Sequence, residues 1–253
     1  MPTLSVILIT RNEEVNLDDC LASLDGIANQ IVVVDTNSSD RTLEIAKKYG
    51  ATISQPLDWP GFGPQKNRAL DLATGEWVLS IDADERLTPA LKSEILTAIH
   101  HSAHVGCFAI PRLSWYCGRF IRHSGWSPDY VDRLFQRGTA RFSDDLVHER
   151  LIPNGQVAKL ENPLLHYSFM NYSQVLQKLD RYSTASAEQA FAKGKTSSPL
   201  KAVLHGVWAF IRTYIIRAGF LDGAQGFALA VSNGQGTYYR YIKLWHLNQE
   251  ARK

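Results

Sequence analysis

The sequence predicts an α/β protein with a mixed, mostly parallel sheet flanked by helices, followed by a helical C-terminal extension. Short apolar runs typical of strands buried on both faces recur in the N-terminal part. They are Leu4–Ile9, Gln30–Val34, Thr52–Gln55 and Trp77–Asp82. Segments with helical spacing separate them, and this alternation demands parallel strands joined by right-handed crossovers. From Tyr172 the strand patterns stop and helical periodicity takes over.

Local signals predict the helices between these strands. Apolar residues recur at helical spacing over Leu17–Leu24, after the first strand. Thr36–Asp40 has the composition of a turn and an N-cap, and it precedes a second helix that Gly50 ends. A third helix is predicted near Gln65–Ala73 and a fourth from Pro89. Each helix therefore connects two predicted strands of the sheet.

The second half gives weaker signals. Cys107–Pro111 indicates a further strand, and Asp129–Gln136 and Ala140–Phe142 suggest an antiparallel pair around Gly138. A long helix is expected from Tyr172, with Ser173 as its cap. These segments predict a mixed second half of the sheet and then helices.

Composition excludes several classes of protein. The 253 residues carry a net charge of +2 and 21% charged residues, which is too mild for a dedicated nucleic-acid binder. The three cysteines are scattered without metal-binding spacing, as in reduced intracellular proteins. Met1–Thr3 lacks the basic start of a signal peptide. We therefore expect a cytoplasmic protein that does not bind nucleic acid.

Polar clusters follow three of the predicted parallel strands: Thr10–Glu13, Asp35–Asp40 and Asp82–Glu85. Ligands of such sheets bind beyond the carboxyl ends of the strands, so the three clusters should converge on one crevice. Asp82 and Asp84 alternate, and on an extended backbone both point to one side. Hard carboxylate oxygens suit Mg²⁺ or Mn²⁺ together with a diphosphate. An isolated acidic turn would be the simpler interpretation, but the upstream clusters favour a ligand site.

A set of four motifs carries a family resemblance: Ile9–Glu13, Val34–Thr42, Lys66–Leu70 and Asp82–Glu85. In order and spacing these motifs resemble family 2 glycosyltransferases, which are inverting enzymes with a GT-A (Rossmann-like) fold that use nucleotide-diphosphate sugars. Within that family the chain is similar to bacterial lipopolysaccharide inner-core β-glucosyltransferases. The resemblance extends more loosely to Val147–Glu149, His166–Tyr167 and Gly219–Gly223.

The resemblance implies roles for the motif residues. Asp35 would accept hydrogen bonds from the uracil or ribose, with Thr10, Arg11 and Glu13 lining the same floor. Lys66 and Arg68 would place positive charge beside the base and diphosphate. Asp84 would coordinate a divalent cation that bridges the phosphates, and Asp82 would contact the ribose or the metal. The ion would neutralise charge on the departing nucleotide.

Structural alternatives stay open for several of these residues. Arg68 could pair with Asp71 on its own helix, and Glu13 could be a carboxylate of a first helical turn. Asp35 could be a turn former, although Asn37–Asp40 already supplies turn residues. His166 is either a second group near the metal or a core histidine.

Inverting transfer needs a carboxylate base that deprotonates the acceptor hydroxyl. The candidates are Glu149, which best matches the family position, then Asp145 and Asp144. His148 is a candidate for orienting the base or the leaving phosphate. The alternative for Glu149 is an ion pair with neighbours of Arg150.

The resemblance divides the chain into a GT-A catalytic domain over 1–170 and a helical extension over 171–253. Within the first, 1–105 would bind the nucleotide sugar and 106–170 the acceptor. The extension has two basic and aromatic stretches, Leu200–Phe220 and Tyr238–Leu247. Both fit docking on an anionic membrane or packing against protein.

The sequence therefore predicts an inverting glycosyltransferase on the inner face of the cytoplasmic membrane. It would use Mg²⁺ or Mn²⁺ and transfer a hexose from a UDP-sugar to a lipopolysaccharide-core or similar lipid-linked glycan. Glucose is the first candidate for the hexose. Three alternatives remain: a transferase acting on polyprenyl phosphate, a sugar nucleotidyltransferase, and a non-catalytic nucleotide-sugar sensor or scaffold. Thr10–Glu13 lacks the glycine-rich loop with which nucleotidyltransferases usually open.

Overall fold

A computed structural model of the chain describes residues 2–101, 105–144 and 149–251. The base candidate Asp145 and the neighbouring His148 lie outside the described residues. The chain forms two compact units. The first runs to Arg112 and resumes over Asp129–His166, and the second comprises Leu113–Pro128 and the chain from Tyr167 onward.

The described residues contain strands with the following bounds: β1 Leu4–Thr10, β2 Gln30–Asp35, β3 Thr52–Ser54, β4 Trp77–Ser80, β5 Glu85–Leu87, β6 Cys107–Tyr116, β7 Arg119–Phe120, β8 Asp129–Gln136, β9 Ala140–Phe142, β10 Leu151–Pro153, β11 Val157–Lys159 and β12 Leu164–Phe169. The helices are α1 Leu17–Ala22, α2 Thr42–Lys48, α3 Phe62–Asp71, α4 Pro89–His101, α5 Tyr172–Ala192, α6 Pro199–Ile211 and α7 Gly223–Glu250. The α/β class and the helical C-terminal part are confirmed.

The main sheet has the strand order β3-β2-β1-β4-β8-β6-β12-β5. Its first four strands are parallel, with β1 between β2 and β4. Beyond β4 the pairing changes, because β8 runs antiparallel to both β4 and β6. The parallel half has the predicted alternation of strands and helices, so the carboxyl ends of its strands meet at one edge.

Side chains of β1 point alternately to the two faces of the sheet, which explains why helices cover both faces of this half. Val6 and Leu8 pack with one core cluster, which includes residues of α1 and α4. Ile7 points to the opposite face and packs with Ala69 and Leu70 of α3. A strand buried on both sides needs a nearly continuous apolar run, which is the pattern that predicted it.

The predicted antiparallel pair around Gly138 is wrong. β8 lies between β4 and β6, and β9 pairs with β10 in a separate two-stranded sheet. Leu134 and Phe135 are adjacent and both completely buried, so β8 needs cover on both faces in the sheet interior. A turn at Gly138, whose φ is +88°, therefore separates the strands without pairing them.

The second unit contains the long helices. α7 packs against both α5 and α6. A π-helical turn, Arg212–Ile216, extends α6, and a 3₁₀ turn, Gly219–Asp222, leads into α7. Asn171, not Ser173, caps α5, because the extended Asn171 accepts a hydrogen bond from the Gln174 amide at 3.0 Å. Among the described residues no helix has the length and hydropathy needed to cross a membrane.

The observed units divide the chain close to the predicted boundary, but they place Leu113–Pro128 with the helices. The functional assignment of 1–105, 106–170 and 171–253 stays a prediction.

Gly75, between α3 and β4, allows the chain to approach β1 closely. A Cβ atom there would lie 2.6 Å from the Ser5 amide nitrogen, a backbone atom of the central strand. We expect Gly75→Ala to lower the free energy of unfolding by about 1–3 kcal/mol through overpacking. At Gly106 the nearest atom would be 3.5 Å away, so Gly106→Ala should change it by less than about 0.5 kcal/mol. Urea unfolding followed by circular dichroism compares the two; equal losses would contradict the close approach.

Candidate active site

The ends of β1 and β2 are joined by hydrogen bonds between two loops. Thr10 and Asp35 are partners in the parallel register, and the Thr10 hydroxyl donates to the Asp35 carboxylate at 2.9 Å. Asn12, with a φ of 55°, donates its amide to Ser38 Oγ at 2.8 Å. Its side-chain oxygen accepts from the Ser39 amide at 2.8 Å. The first two predicted polar clusters therefore form one structure.

A second set of bonds continues this connection toward α2. The Glu13 amide donates to Thr42 Oγ1 at 2.7 Å, and the Glu14 amide donates to Asp40 at 3.1 Å. Asp40 also accepts from the Thr42 hydroxyl at 2.5 Å. Backbone amides that follow β1 are thus satisfied by side chains that follow β2.

Glu13 links these loops electrostatically to the end of β4. Burial raises the pKa of Glu13, and the negative charges of Asp84, Asp40 and Asp82 raise it further, against a lowering hydrogen bond from Asn16. The interaction requires that the ends of β1 and β4 lie close together, as the parallel sheet predicts. Glu13 lies before α1, which begins at Leu17, and its carbonyl accepts from the Leu17 amide at 2.9 Å, so it flanks the first helical turn.

Asp35 is completely buried. Its carboxylate accepts from Thr10, from the Ser38 amide at 2.9 Å and from the Ser38 hydroxyl at 2.5 Å. Asp35 therefore holds the loop that follows β2, a turn-forming role that the sequence analysis ranked second. Its contact with uracil or ribose stays a prediction.

The turn that follows β4 is fixed by one buried arginine. Arg133 of β8 is 3% exposed and donates to Asp82 at 2.5 Å and to Glu85 at 2.7 Å. Glu85 is completely buried and accepts from the Asp82 amide at 2.9 Å. These bonds close the turn around Asp84, so the direction of Asp84 is set by its two acidic neighbours.

The two carboxylates that share Arg133 differ in pKa. Burial alone would raise the pKa of Asp82, but the charges of Arg133 and Lys66 outweigh it and hold the pKa below its usual range. Burial raises the pKa of Glu85, and the Asp82 charge adds to this effect against the opposing charge of Arg133. Arg112 extends the network, 3.8 Å from Glu85 and 2.6 Å from Asp129. Within this one network the pKa of Asp82 is therefore lowered and that of Glu85 is raised.

Lys66 connects the turn after β4, Asp82–Glu85, to the candidate base Glu149. We call this turn the metal-motif turn, because it carries the candidate metal ligands Asp82 and Asp84. Its buried ammonium lies 3.2 Å from Asp82 and 3.1 Å from Glu149. Glu149 therefore pairs with Lys66, and the alternative pairing with neighbours of Arg150 stays a prediction. The contact brings Lys66, Asp82 and Glu149 into one cluster, although 83 residues separate Lys66 from Glu149.

Helix α3 also anchors the segment that leads to Glu149. The Asn67 side chain donates to the Phe142 carbonyl and accepts from the Phe142 amide, both at 2.9 Å. Gly63 lies against the next residue, where a Cβ atom would come 1.8 Å from the Ser143 oxygen. One helix thus holds both Lys66 and the start of the segment whose end carries Glu149.

Arg68 faces away from this cluster. Its guanidinium pairs with Asp58 at 2.7 Å and donates to Gln65 at 3.0 Å. The predicted alternative, a pair with Asp71, is wrong, because Asp71 pairs with Arg141 at 3.0 Å. A role of Arg68 beside the base or diphosphate stays a prediction.

Asp84 and His166 face each other in the crevice. His166 Nε2 lies 3.4 Å from Asp84 Oδ2, and their side chains are 17% and 31% exposed. The register β5–β12 explains the contact, because His166 is paired with Glu85. His166 is therefore beside the metal motif, the first of its two predicted settings.

These side chains fit a divalent cation that a ligand completes. Among the described residues no group of three or more acidic, histidine or cysteine side chains could hold a metal alone. Mg²⁺ is commonly held by one or two carboxylates together with substrate phosphates. Asp84 supplies such a carboxylate, with the His166 imidazole next to it. Both Asp82 oxygens are paired with cations, so its role as a metal ligand stays a prediction.

Arg11 and Asp144 are exposed. Roles for Arg133, Arg112 and Asn67 were not predicted from the sequence. A charged residue between the apolar residues Val131 and Leu134 of an interior strand is the signal that could have identified Arg133, since a buried charge needs a partner. Nothing in the sequence pattern indicated the pairing of Asn67.

A family model and several curated proteins are similar to this chain. The model of "Glycosyl transferase family 2" matches residues 5–154. The chain is 30% identical to the lipopolysaccharide core biosynthesis glycosyltransferase LpsC of Rhizobium meliloti, over 94% of this chain and 89% of that protein. It is 29% identical to an uncharacterized glycosyltransferase of Rickettsia typhi, over 100% of this chain and 90% of that protein.

A solved structure has a similar fold. S. aureus TarS 1–349, crystallised in complex with UDP, has a TM-score of 0.51 and 18% sequence identity. The similarity covers 98% of this chain and 92% of the TarS chain. It supports a GT-A fold followed by a helical C-terminal part.

Arg133 should be critical for stability because its removal takes the shared partner from Asp82 and from the completely buried Glu85, which then keep only Lys66 at 3.2 Å and Arg112 at 3.8 Å. We expect Arg133→Met to lower the free energy of unfolding by about 3–5 kcal/mol. Arg141→Met is the matched control, since its pair with Asp71 is exposed and should be worth less than about 1 kcal/mol. Urea unfolding at pH 7 measures both; a loss for Arg133→Met as small as that of the control would contradict the network.

Proposed function

Since the chain belongs to glycosyl transferase family 2 and is a glycosyltransferase, we propose that it inverts the anomeric centre and uses a UDP-hexose, glucose first. The acceptor in this proposal is a hydroxyl of a lipopolysaccharide-core or similar lipid-linked glycan. The observation that carries it is the Lys66 cluster, in which a candidate base and the metal-motif turn share one buried cation.

Two relatives support the choice of donor and acceptor. TarS, whose fold resembles that of this chain, was crystallised with UDP. LpsC, which is similar over nearly the whole chain, is named for lipopolysaccharide core biosynthesis. The loops joined by Thr10, Asp35 and Asn12 form the floor proposed for the uridine. Arg11 and Glu13 belong to the same floor.

Asp84 would hold a divalent cation, with His166 beside it and diphosphate oxygens completing the coordination. When bound, the ion supplies positive charge for the leaving diphosphate. Lys66 adds a fixed positive charge beside Asp82, two residues from Asp84, because Asp82 and Glu149 keep its ammonium in place. Asp82 serves mainly to hold Lys66 and the turn.

Glu149 is the proposed general base. Its carboxylate is 20% exposed at the side chain, so an acceptor hydroxyl can reach it, and Lys66 fixes its position. The base takes the hydroxyl proton while the acceptor oxygen attacks the anomeric carbon. The bond to the UDP oxygen breaks on the opposite face, which inverts the configuration.

The acceptor places the enzyme at a membrane. A lipid-linked glycan is anchored in a bilayer, so we propose that the protein acts at the inner face of the cytoplasmic membrane and that its helical unit makes peripheral contact there. Transfer to polyprenyl phosphate, nucleotidyl transfer and a non-catalytic sensor are the competing functions.

A donor screen tests the function directly. Purified full-length protein with Mg²⁺ or Mn²⁺ is incubated with UDP-glucose, other UDP-hexoses and hexose 1-phosphates, and with truncated core glycans or polyprenyl phosphate. Release of UDP that depends on the core glycan, with a β-linked product, supports the proposal. Product on polyprenyl phosphate, release of pyrophosphate, or UDP-sugar binding without turnover would each overturn it in favour of one competitor.

Asp84→Asn removes the carboxylate proposed to hold the cation. We expect loss of the Mn²⁺-dependent gain in UDP affinity, measured by calorimetry with and without the metal, and a fall in kcat of at least about a hundredfold. Asp71→Asn, an exposed carboxylate on α3, is the control and should retain both properties. Metal-dependent binding that survives Asp84→Asn would contradict the assignment.

Glu149→Gln keeps the size of the side chain and removes its ability to take a proton. We expect UDP binding to stay within about twofold while kcat falls about 10²–10⁴-fold. Calorimetry and a UDP-release assay measure the two quantities on the same preparation. Transfer at the parent rate would assign the base to Asp144 or Asp145.

A further inference from the structure

One face of α6 is apolar and exposed over the length of the helix. Its residues are 38–67% exposed: Leu200, Val203, Leu204, Val207, Trp208 and Ile211. Their spacing of three and four residues places them on one side. Ile215 and Ile216 of the π-helical turn follow and are 55% and 61% exposed. We call this set the α6 stripe. Soluble monomers rarely expose an apolar surface of this extent without a function.

The opposite face of α6 explains why the large residues point outward. Ala202, Gly206 and Ala209 are buried, and a Cβ atom at Gly206 would lie 3.1 Å from the Gly234 oxygen of α7. Small residues therefore let the two helices approach closely. The fold buries the small side of α6 and leaves its large apolar side without a partner in the described unit.

The charges beside the stripe have one sign. Over 199–221 the sequence has Lys201, Arg212 and Arg217 and no aspartate or glutamate. All three cations are exposed. Lys201 and Arg212 are eleven residues apart, about three turns, and so mark the same edge of the helix. A row of cations along an apolar face is complementary to an anionic surface with an apolar interior.

Two more arginines, Arg119 and Arg122, lie beside the 3₁₀ turn that follows α6. Asp222 is buried and accepts from the backbone amides of Arg122 and His123, both at 3.0 Å. The Ser124 amide donates to the Arg217 carbonyl at 2.8 Å. These bonds hold Arg122 beside the 3₁₀ turn, and Arg119 of β7 donates to the Leu221 carbonyl at 3.5 Å.

This turn exposes two further apolar side chains, Phe220 at 50% and Leu221 at 53%. The one carboxylate of the turn, Asp222, is buried and accepts hydrogen bonds from the Arg122 and His123 amides. We call Phe220 and Leu221 of this turn the elbow. The elbow repeats the pattern of the stripe, because its exposed apolar side chains lie among arginines and it has no exposed acidic residue.

We propose that the α6 stripe and the Phe220–Leu221 elbow form a docking surface for an anionic lipid bilayer. The large apolar side chains enter the boundary between headgroups and acyl chains, while the lysine and arginines pair with lipid phosphates. This deepens the membrane contact of the proposed function by identifying the surface and the lipid charge. Lipid binding itself needs neither donor nor acceptor.

A second copy of the chain fits this surface less well. In an antiparallel symmetric dimer the stripe would meet itself and bring the cations of one copy, Lys201, Arg212 and Arg217, close to those of the other, without a carboxylate in 199–221 to balance them. An anionic bilayer supplies that counter-charge.

The second stretch singled out in the sequence, Tyr238–Leu247, is not part of the surface. Tyr241 stacks on His205 with 4.2 Å between ring centroids, and Tyr238 packs against Gly206. Lys243 pairs with Asp180 at 2.6 Å. Its aromatic and basic residues hold α5, α6 and α7 together.

Vesicle flotation with full-length protein tests the proposal. Vesicles of phosphatidylcholine alone are compared with vesicles containing 30% phosphatidylglycerol, at low and high salt. We expect the parent to float with the anionic vesicles and to lose most of its binding at high salt. Leu204→Gln/Trp208→Gln and, separately, Lys201→Gln/Arg212→Gln should each lower the partition coefficient about tenfold or more.

Matched controls on α5 separate this surface from general effects. Leu176→Gln removes an apolar residue that is 57% exposed, and Lys178→Gln/Arg181→Gln removes two exposed cations. Both variants should float like the parent. Circular dichroism melting shows that each variant is folded.

The outcomes are distinct. Equal flotation of the parent and both α6 variants, or absence of flotation, would overturn the proposal. A dimer detected by light scattering that Leu204→Gln/Trp208→Gln dissociates, with no flotation of the parent, would assign the surface to a second copy. UDP-sugar transfer to a water-soluble core glycan is measured in parallel. Transfer without flotation would overturn only the proposed docking surface. Flotation without transfer would overturn only the proposed function.

Discussion

The candidate site depends on the position of one guanidinium. Arg133 lies in the interior of the sheet and pairs with Asp82 and Glu85, which come from the turn after β4. A charge at this depth is tolerable only if its partners stay fixed, because separating them would leave uncompensated charges in a poorly solvated place. The two pairs therefore restrain the turn, in which Asp84 lies 3.4 Å from His166. Positioning of this kind before any ligand arrives is what electrostatic catalysis requires.

Much of the parallel half could be predicted from the sequence, since buried parallel strands and the helices between them have distinct periodicities. The meeting of three polar clusters at one edge followed from topology alone. The second half could not be predicted equally well, because β8 finds its neighbours far away in the sequence and the turn at Gly138 gave a misleading local signal. Asn171 and Ser173 are both good cap residues, and backbone geometry decides between them.

The contacts of individual side chains were less predictable than the place in the fold where these residues meet. Lys66 and Arg68 are two positions apart on α3, yet one is buried between carboxylates and the other pairs with Asp58. Asp35 lies at the predicted place, but its bonds hold a loop. A motif therefore indicates where residues meet, whereas the partner of each side chain depends on segments that the motif does not contain. Only the assembled sheet shows that Glu149 and Asp82 share a cation.

Helix α3 has a consequence for how such a site can change in evolution. Gly63, Lys66 and Asn67 contact the Ser143 backbone, the carboxylate cluster and the Phe142 backbone. An insertion of one residue inside the helix would rotate these contacts by about 100° and break them together. Additions to the preceding loop, Pro56–Gly61, lie before the helix and leave its rotation unchanged. New specificities should therefore arise by lengthening exposed loops around a helix whose own length stays constant.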